Sequence, residues 1–173
     1  MRGLPESGPG APGPLAESAA RAVAAAALCW LATVDANGSP RLRPMGRLPA
    51  EPGDDVWTLR FITDGRSGKA ANIRRAGRAS LAFQRENEEG FVTVQGPALL
   101  EEDRAEVRRR WKRAYDPYFP GEADKASAVF LTVQVDRIDL WIRGVTPEPF
   151  GLKTTTIERD GEGRWRLRED NSR

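Results

Sequence analysis

From Cys29 onward the apolar residues come in short β-branched and aromatic runs, each closed by a turn signal, which is the mark of an antiparallel sheet or barrel. The most informative stretch runs from Trp30 to Lys69. Trp30-Leu31-Ala32-Thr33-Val34 reads as one strand, Asp35-Ala36-Asn37-Gly38 as a turn, and Arg41-Leu42-Arg43-Pro44-Met45 as a second strand. Asn37-Gly38 suits a tight hairpin because both residues tolerate positive φ. Period-two spacing puts Arg41, Arg43 and Met45 on one face and Leu42 and Pro44 on the other. Pro44 has no N–H to donate, so this strand is expected at an edge or a bulge.

After a loop through Pro49, Pro52 and Gly53, a third strand runs from Val56 to Thr63. Ser67 then stands where the N-cap of a helix over residues 68–75 is expected. Further strands are expected at Ala79 to Gln84 and Phe91 to Leu100, around a polar turn holding Glu86, Glu88 and Glu89. Glu101-Glu102-Asp103 opens a second helix that closes on the basic run Arg108 to Arg113, an order of charge that complements the helix dipole. Val107, Trp111 and Ala114 share its inward side. The loop from Tyr115 to Asp124 either lines a pocket for a ring-shaped ligand or closes on the core. Strands follow at Val129 to Val135 and Ile138 to Arg143, with a terminal hairpin around Asp160-Gly161.

At 173 residues the chain is most simply one domain with a core that needs no staples. Residues 1–14 alternate Pro and Gly and read as a disordered tail, residues 15–168 as the domain, and residues 169–173 as a polar tail. The Ala-rich segment from Leu15 to Leu28 reads as an amphipathic helix on one end of the core. It is too short and too weakly apolar to span a membrane. The lone cysteine, Cys29, has no intrachain partner, which favours a reducing compartment and a cytoplasmic protein.

Lys and Arg total 27 against 25 Asp and Glu, a net charge of +2 that advertises no nucleic-acid partner. Arg108 to Arg113, with Trp111 among them, is the one segment a nucleic acid could use, and the dipole already explains it. There is no histidine, which removes Ser-His-Asp and Cys-His nucleophiles and the usual zinc sites. Any chemistry would then use carboxylates, Lys, Tyr, the single thiol, or a bound cofactor that carries the reaction itself. Arg43, Ser67 and Lys69 form the constellation suited to an anion: two cations, a hydroxyl and the free N–H groups of a helix N-terminus. The plainer reading makes Arg43 a solvated strand residue and Ser67 only a cap. Gly65-Arg66-Ser67-Gly68-Lys69 lacks the spacing of a Walker loop.

The ordered set Leu31-Ala32-Thr33, Gly38-Ser39-Pro40-Arg41-Leu42-Arg43-Pro44-Met45, Phe61-Ile62-Thr63, Ser67-Gly68-Lys69 and Asn72-Ile73 resembles the pyridoxamine 5'-phosphate oxidase-like flavin-binding split barrels. Val92-Thr93-Val94-Gln95-Gly96, the helix up to Trp111, Tyr118-Phe119-Pro120-Gly121 and Ile138-Asp139-Leu140-Trp141 are similar to the general stress protein subgroup. The likeness covers about residues 25–143.

The resemblance implies a mainly β fold with flanking helices, an antiparallel split β-barrel of Greek-key type. It also implies a homodimer with flavin mononucleotide (FMN) in a groove between subunits. Arg43, Pro44 and Met45 would run along the flavin, Ile62 and Thr63 would contact it, and Ser67, Gly68 and Lys69 would hold its phosphate. Two departures stand out. True oxidases have Arg-Lys where this chain has Gly68-Lys69, with Arg66 the nearest cation to compensate, and they use a C-terminal Arg-x-His that a chain without histidine lacks. The expectation is therefore an FMN-dependent oxidoreductase other than a vitamin B6 oxidase, working with a small-molecule electron donor or acceptor, without nucleic acid or membrane. The alternatives are a non-catalytic flavin or pyridoxal phosphate binding protein and a deazaflavin (F420)-dependent reductase.

Overall fold

The structure is a computed structural model, and it describes residues 12–85 and 90–168. Nine antiparallel strands carry the fold: β1 (Leu28–Val34), β2 (Pro40–Gly46), β3 (Thr58–Asp64), β4 (Arg78–Arg85), β5 (Gly90–Glu101), β6 (Ala128–Gln134), β7 (Arg137–Ile142), β8 (Thr155–Arg159) and β9 (Trp165–Leu167). Four α-helices accompany them: α1 (Pro12–Ala25), α2 (Gly68–Ala76), α3 (Arg104–Arg109) and α4 (Glu122–Ser127). The pairing order is β2-β1-β4-β5-β7-β8-β9, with β3 joined to β6 and β6 to β5.

β5 organises the sheet because it changes partners along its length. Residues 90–95 lie beside β7, whereas Ala98 to Glu101 pair with β6. The change occurs at Gly96, where a Cβ would sit 1.7 Å from the carbonyl oxygen of Gln134 at the end of β6. Only glycine allows the two backbones to pass that closely. The crossing curls the sheet around a core of Leu31, Leu59, Phe61, Leu81, Val94, Leu131, Ile138, Leu140 and Ile157. α1 covers one end through Leu15, Ala19, Ala22 and Val23, a stripe at helical spacing. This helix starts at Pro12, so residues 12–14 are helical rather than part of a tail. Proline is well placed in a first turn, where its missing N–H has no partner to lose. Residues 1–11 and 169–173, and the glutamates of the turn after β4, lie outside the described residues.

β2 is the edge strand expected from Pro44. The hairpin before it is not a two-residue turn. Val34 pairs with Pro40, leaving a five-residue loop in which Gly38 alone takes positive φ, at 83°, and the Asp35 carboxylate accepts from the backbone N–H groups of Asn37 and Ser39. The β8–β9 loop repeats the device: the Asp160 carboxylate accepts from Glu162 and Arg164, with Gly163 at φ 78°. Asp-x-x-Gly is thus the operative signal, because the side chain satisfies the loop's inward N–H groups while glycine supplies the reversal.

The second expected helix is shorter than its charges suggested. Asp103 caps it by accepting from Ala105 and Glu106, Glu101 still belongs to β5, and the helix ends at Arg109. Residues 113–118 form a 3-10 turn and α4 follows where a loop was expected. Ala114 is exposed, and Trp111 instead packs edge-on against Tyr115 and Phe119. Tyr115 and Phe119 are buried with Val107 and Phe130 in a second apolar cluster, while Tyr118 is 78% exposed. That part of the chain closes on the core. The terminal hairpin does the same, its Trp165 meeting Trp57 edge-on at 5.2 Å and its Arg159 pairing with Asp55.

Candidate functional site

α2 begins where β3 ends. Ser67, extended at φ −71° and ψ 152°, accepts from the N–H of Ala70 through its hydroxyl oxygen, and Gly77 in the left-handed region ends the helix. The first-turn N–H groups of such a helix have no intrahelical partner and point toward whatever lies at its mouth. Ser67, Gly68 and Lys69 occupy that mouth.

β2 brings Arg43 to the same region. Arg43 pairs with Leu31 across the β1–β2 ladder, on the face that α2 covers, and its guanidinium donates from Nη1 to the Thr33 hydroxyl at 2.9 Å. Asn72, on the buried side of α2, donates to the same oxygen at 3.0 Å. One hydroxyl therefore locks strand β2, strand β1 and helix α2 together. Neither Thr33 nor Asn72 is a candidate site residue from sequence, although both stand in the motifs that carry the family resemblance, Thr33 as a polar side chain in an apolar strand and Asn72 on the inner side of a helix.

The electrostatics are those of cations in need of an anion. Lys69 is half-buried, and burial holds its ammonium below the usual lysine value, with the Arg43 guanidinium pushing the same way and Asp64 opposing. Burial lowers Arg43 as well, and Arg41 adds to it. Because a lysine loses its proton long before an arginine, the cost of crowding the two charges falls on Lys69. Among the described residues Lys69 makes no hydrogen bond or ion pair. Asp64, the nearby acid, is engaged elsewhere: Arg66 binds it through Nε and Nη2, one edge of its guanidinium, at 2.7 to 3.0 Å and holds its carboxyl down at about 2. Arg66 also reaches Asp124 on α4 at 3.1 Å, so the cation expected to compensate for Gly68 is committed to two carboxylates.

The remaining candidates disperse. Ile62 and Thr63 point to opposite faces of β3, Ile62 against the second apolar cluster and Thr63 buried. Met45 is in the main core, and Pro44 is exposed on the other face of β2. Gly68 is exposed, and a Cβ added there meets nothing within 4 Å, so packing does not require glycine at this position.

Two cations of the basic run at the end of α3 are paired with acids. Arg109 binds Glu106, and Arg110 binds Glu51 at 2.7 Å while lying 4.1 Å over the Phe130 ring. Cys29 is buried and its thiol is pushed up to about 12, far from a reactive thiolate. Among the described residues no cluster of three or more acids or cysteines could hold a metal, and no helix is long and apolar enough to cross a membrane.

Comparison with solved structures finds this fold repeatedly. A Clostridium acetobutylicum protein related to general stress protein 26 of B. subtilis superposes with a TM-score of 0.65 at 19% identity, covering 83% of this chain and 93% of that one. A pyridoxamine 5'-phosphate oxidase-related, FMN binding protein from Nostoc punctiforme PCC 73102 gives 0.65 at 20% identity, over 90% and 94%. General Stress Protein 26 from Bacillus anthracis str. Sterne gives 0.56 at 21% identity, over 73% and 92%. These likenesses establish the split-barrel architecture, mainly antiparallel β with a sheet that does not close. No curated protein matches the sequence. The family model described as pyridoxamine 5'-phosphate oxidase like matches residues 16–154, most of the chain, and the chain belongs to that family.

Proposed function

We propose that this chain is a cytoplasmic FMN-binding oxidoreductase that works as a homodimer, with its phosphate site at Arg43, Ser67, Gly68 and Lys69. The observation that carries the reading is the pair Arg43 and Lys69: two partly buried cations, the lysine lowered by burial and then by the arginine, at the mouth of a capped helix and with the nearby acid already paired. Such a site is stabilised by a dianion. FMN offers one, and the Nostoc punctiforme neighbour is described as FMN binding. When bound, the isoalloxazine supplies the electron transfer. The chain's own residues fix the phosphate, with Ser67 and the α2 N–H groups orienting it and Arg43 held in place by Thr33. Asp64 keeps its charge on Arg66 and is not free to act as a base at neutral pH.

The homodimer rests on the outer face of β1 and β2. Leu28, Trp30, Val34 and Leu42 are 46 to 66% exposed there, with Pro44 across from Trp30. An apolar patch of this kind, continuous over two strands, is what an interface between copies needs. Substrates other than pyridoxamine phosphate are implied by the missing histidine. Mass spectrometry of the natively purified protein under non-denaturing conditions tests both parts together: the reading predicts a dimer carrying one FMN per chain, and an apo monomer that takes up no added FMN would contradict it. Reduction of the bound flavin by NADH or NADPH then separates an oxidoreductase from a protein that only binds.

A further inference from the structure

A cavity lies away from the α2 mouth. It occupies about 590 Å³ between α3 and α4, on the stripe Arg104, Val107, Arg108 and Trp111 that repeats at helical spacing, facing Glu122, Lys125 and Ala126. That volume is in the range that holds small organic ligands.

Its walls combine a rigid apolar surface with cations. Trp111 has already given its indole N–H to Asp116 at 2.9 Å and is wedged edge-on against Tyr115 and Phe119 at 5.7 and 5.6 Å, so what it offers the cavity is a fixed ring. Val107 is buried, and Ala126 adds a small flat contact. Arg104 uses its N–H groups on the neutral backbone carbonyls of Glu102 and Ala126, which anchor it without cancelling its charge. Arg108 is exposed and makes no hydrogen bond or ion pair among the described residues. Lys125 stands 3.4 Å from Glu122 and 3.6 Å from Asp116, long for charge-assisted bonds, and the Glu122 side chain is 93% exposed at the rim.

We propose that this cleft is a binding site for a small aromatic monocarboxylic acid, its ring against Trp111, Val107 and Ala126 and its carboxylate on the Arg108 guanidinium. Among the lining residues three cations stand with one acid, Asp116 beside Lys125 and Asp103 near Arg108 lying outside the lining, and the planar fork of the exposed Arg108 matches a carboxylate. The fixed indole accepts a flat ring at little cost in side-chain entropy. The site is independent of the proposed flavin site. The two are linked through α4, whose Asp124 holds Arg66 while Lys125 and Ala126 line the cleft, and through Arg74 of α2, which binds Glu102 beside Arg104.

Anthranilate titrated into the full-length protein by calorimetry tests this. Saturable binding with a Kd of roughly 0.1 to 1 mM is expected for a ligand of this size. Arg108→Ala, which removes an exposed and unpaired side chain, should weaken it by about tenfold or more. Aniline, which lacks the carboxylate, should not bind, and Lys69→Ala should bind anthranilate as tightly as the unaltered protein. Absence of saturable binding, equal affinity in Arg108→Ala, binding of aniline as tight as anthranilate, or loss of binding in Lys69→Ala would each overturn the proposal.

Discussion

The Arg43 guanidinium hangs from the Thr33 hydroxyl by a 2.9 Å hydrogen bond, and that single contact decides where the cation of β2 points. The anchor uses one N–H and leaves others of the planar group for an anion. The Thr33 hydroxyl also accepts from Asn72, so removing it strands a buried amide. Thr33→Val should cost about 1 to 3 kcal/mol of folding stability in a denaturant titration and lower FMN affinity several-fold, while Thr33→Ser restores both. An FMN affinity unchanged in Thr33→Val would remove Arg43 positioning from the account.

Gly68 is the place where the chain departs from the oxidases, and space for a side chain exists there. Gly68→Arg adds a cation beside Lys69 at a helix N-terminus. FMN affinity should rise by roughly three- to tenfold at low salt and less so at high salt. Equal or weaker binding would mean that the phosphate sits elsewhere.

Lys69 gives the site a pH signature. Burial, and after it Arg43, lowers its value from the ordinary 10.5. Folding therefore disfavours the ammonium, and between the lowered value and 10.5 the unfolded chain holds more protons than the folded one. Stability contributed by this group rises with pH across that window. A bound phosphate acts in the opposite sense, because it favours the ammonium. FMN affinity should be level at neutral pH and fall as pH climbs through the lowered value, and Lys69→Met should show neither effect. The check is a set of FMN titrations and urea melts from pH 7 to 10.5 on both proteins.

The outer face of β1 and β2 predicts assembly. Replacing Trp30 and Leu42 together by Glu puts two charges on a surface whose side chains are 54 and 61% exposed in the single chain, so the monomer should tolerate them. Light scattering after size exclusion should change from dimer to monomer. A dimer that survives both changes uses another face.

Much of this architecture is legible in the sequence because it depends on local chemistry. The β2 edge follows from Pro44, the start of α2 from Ser67, and the inward face of β3 from alternation along Leu59 and Phe61. What escapes is set by distant partners. Nothing near Arg66 says that Asp124, 58 residues away, will hold it, and nothing near Arg43 says that Asn72 will share its acceptor. α4, six residues long, is too short to show a helical period, and the aromatic segment before it reads as irregular for that reason. Strand alternation also separates Ile62 from Thr63, a division that a shared motif conceals.

The central claim is that Arg43 and Lys69 await the phosphate of a flavin, and a fluorescence titration of FMN with the purified protein tests it most directly. Saturable quenching is expected at micromolar protein, weakened in Lys69→Ala by roughly 1.5 to 3 kcal/mol through loss of a charge-assisted bond. Absence of quenching in that range, or the same affinity in Lys69→Ala, would contradict it.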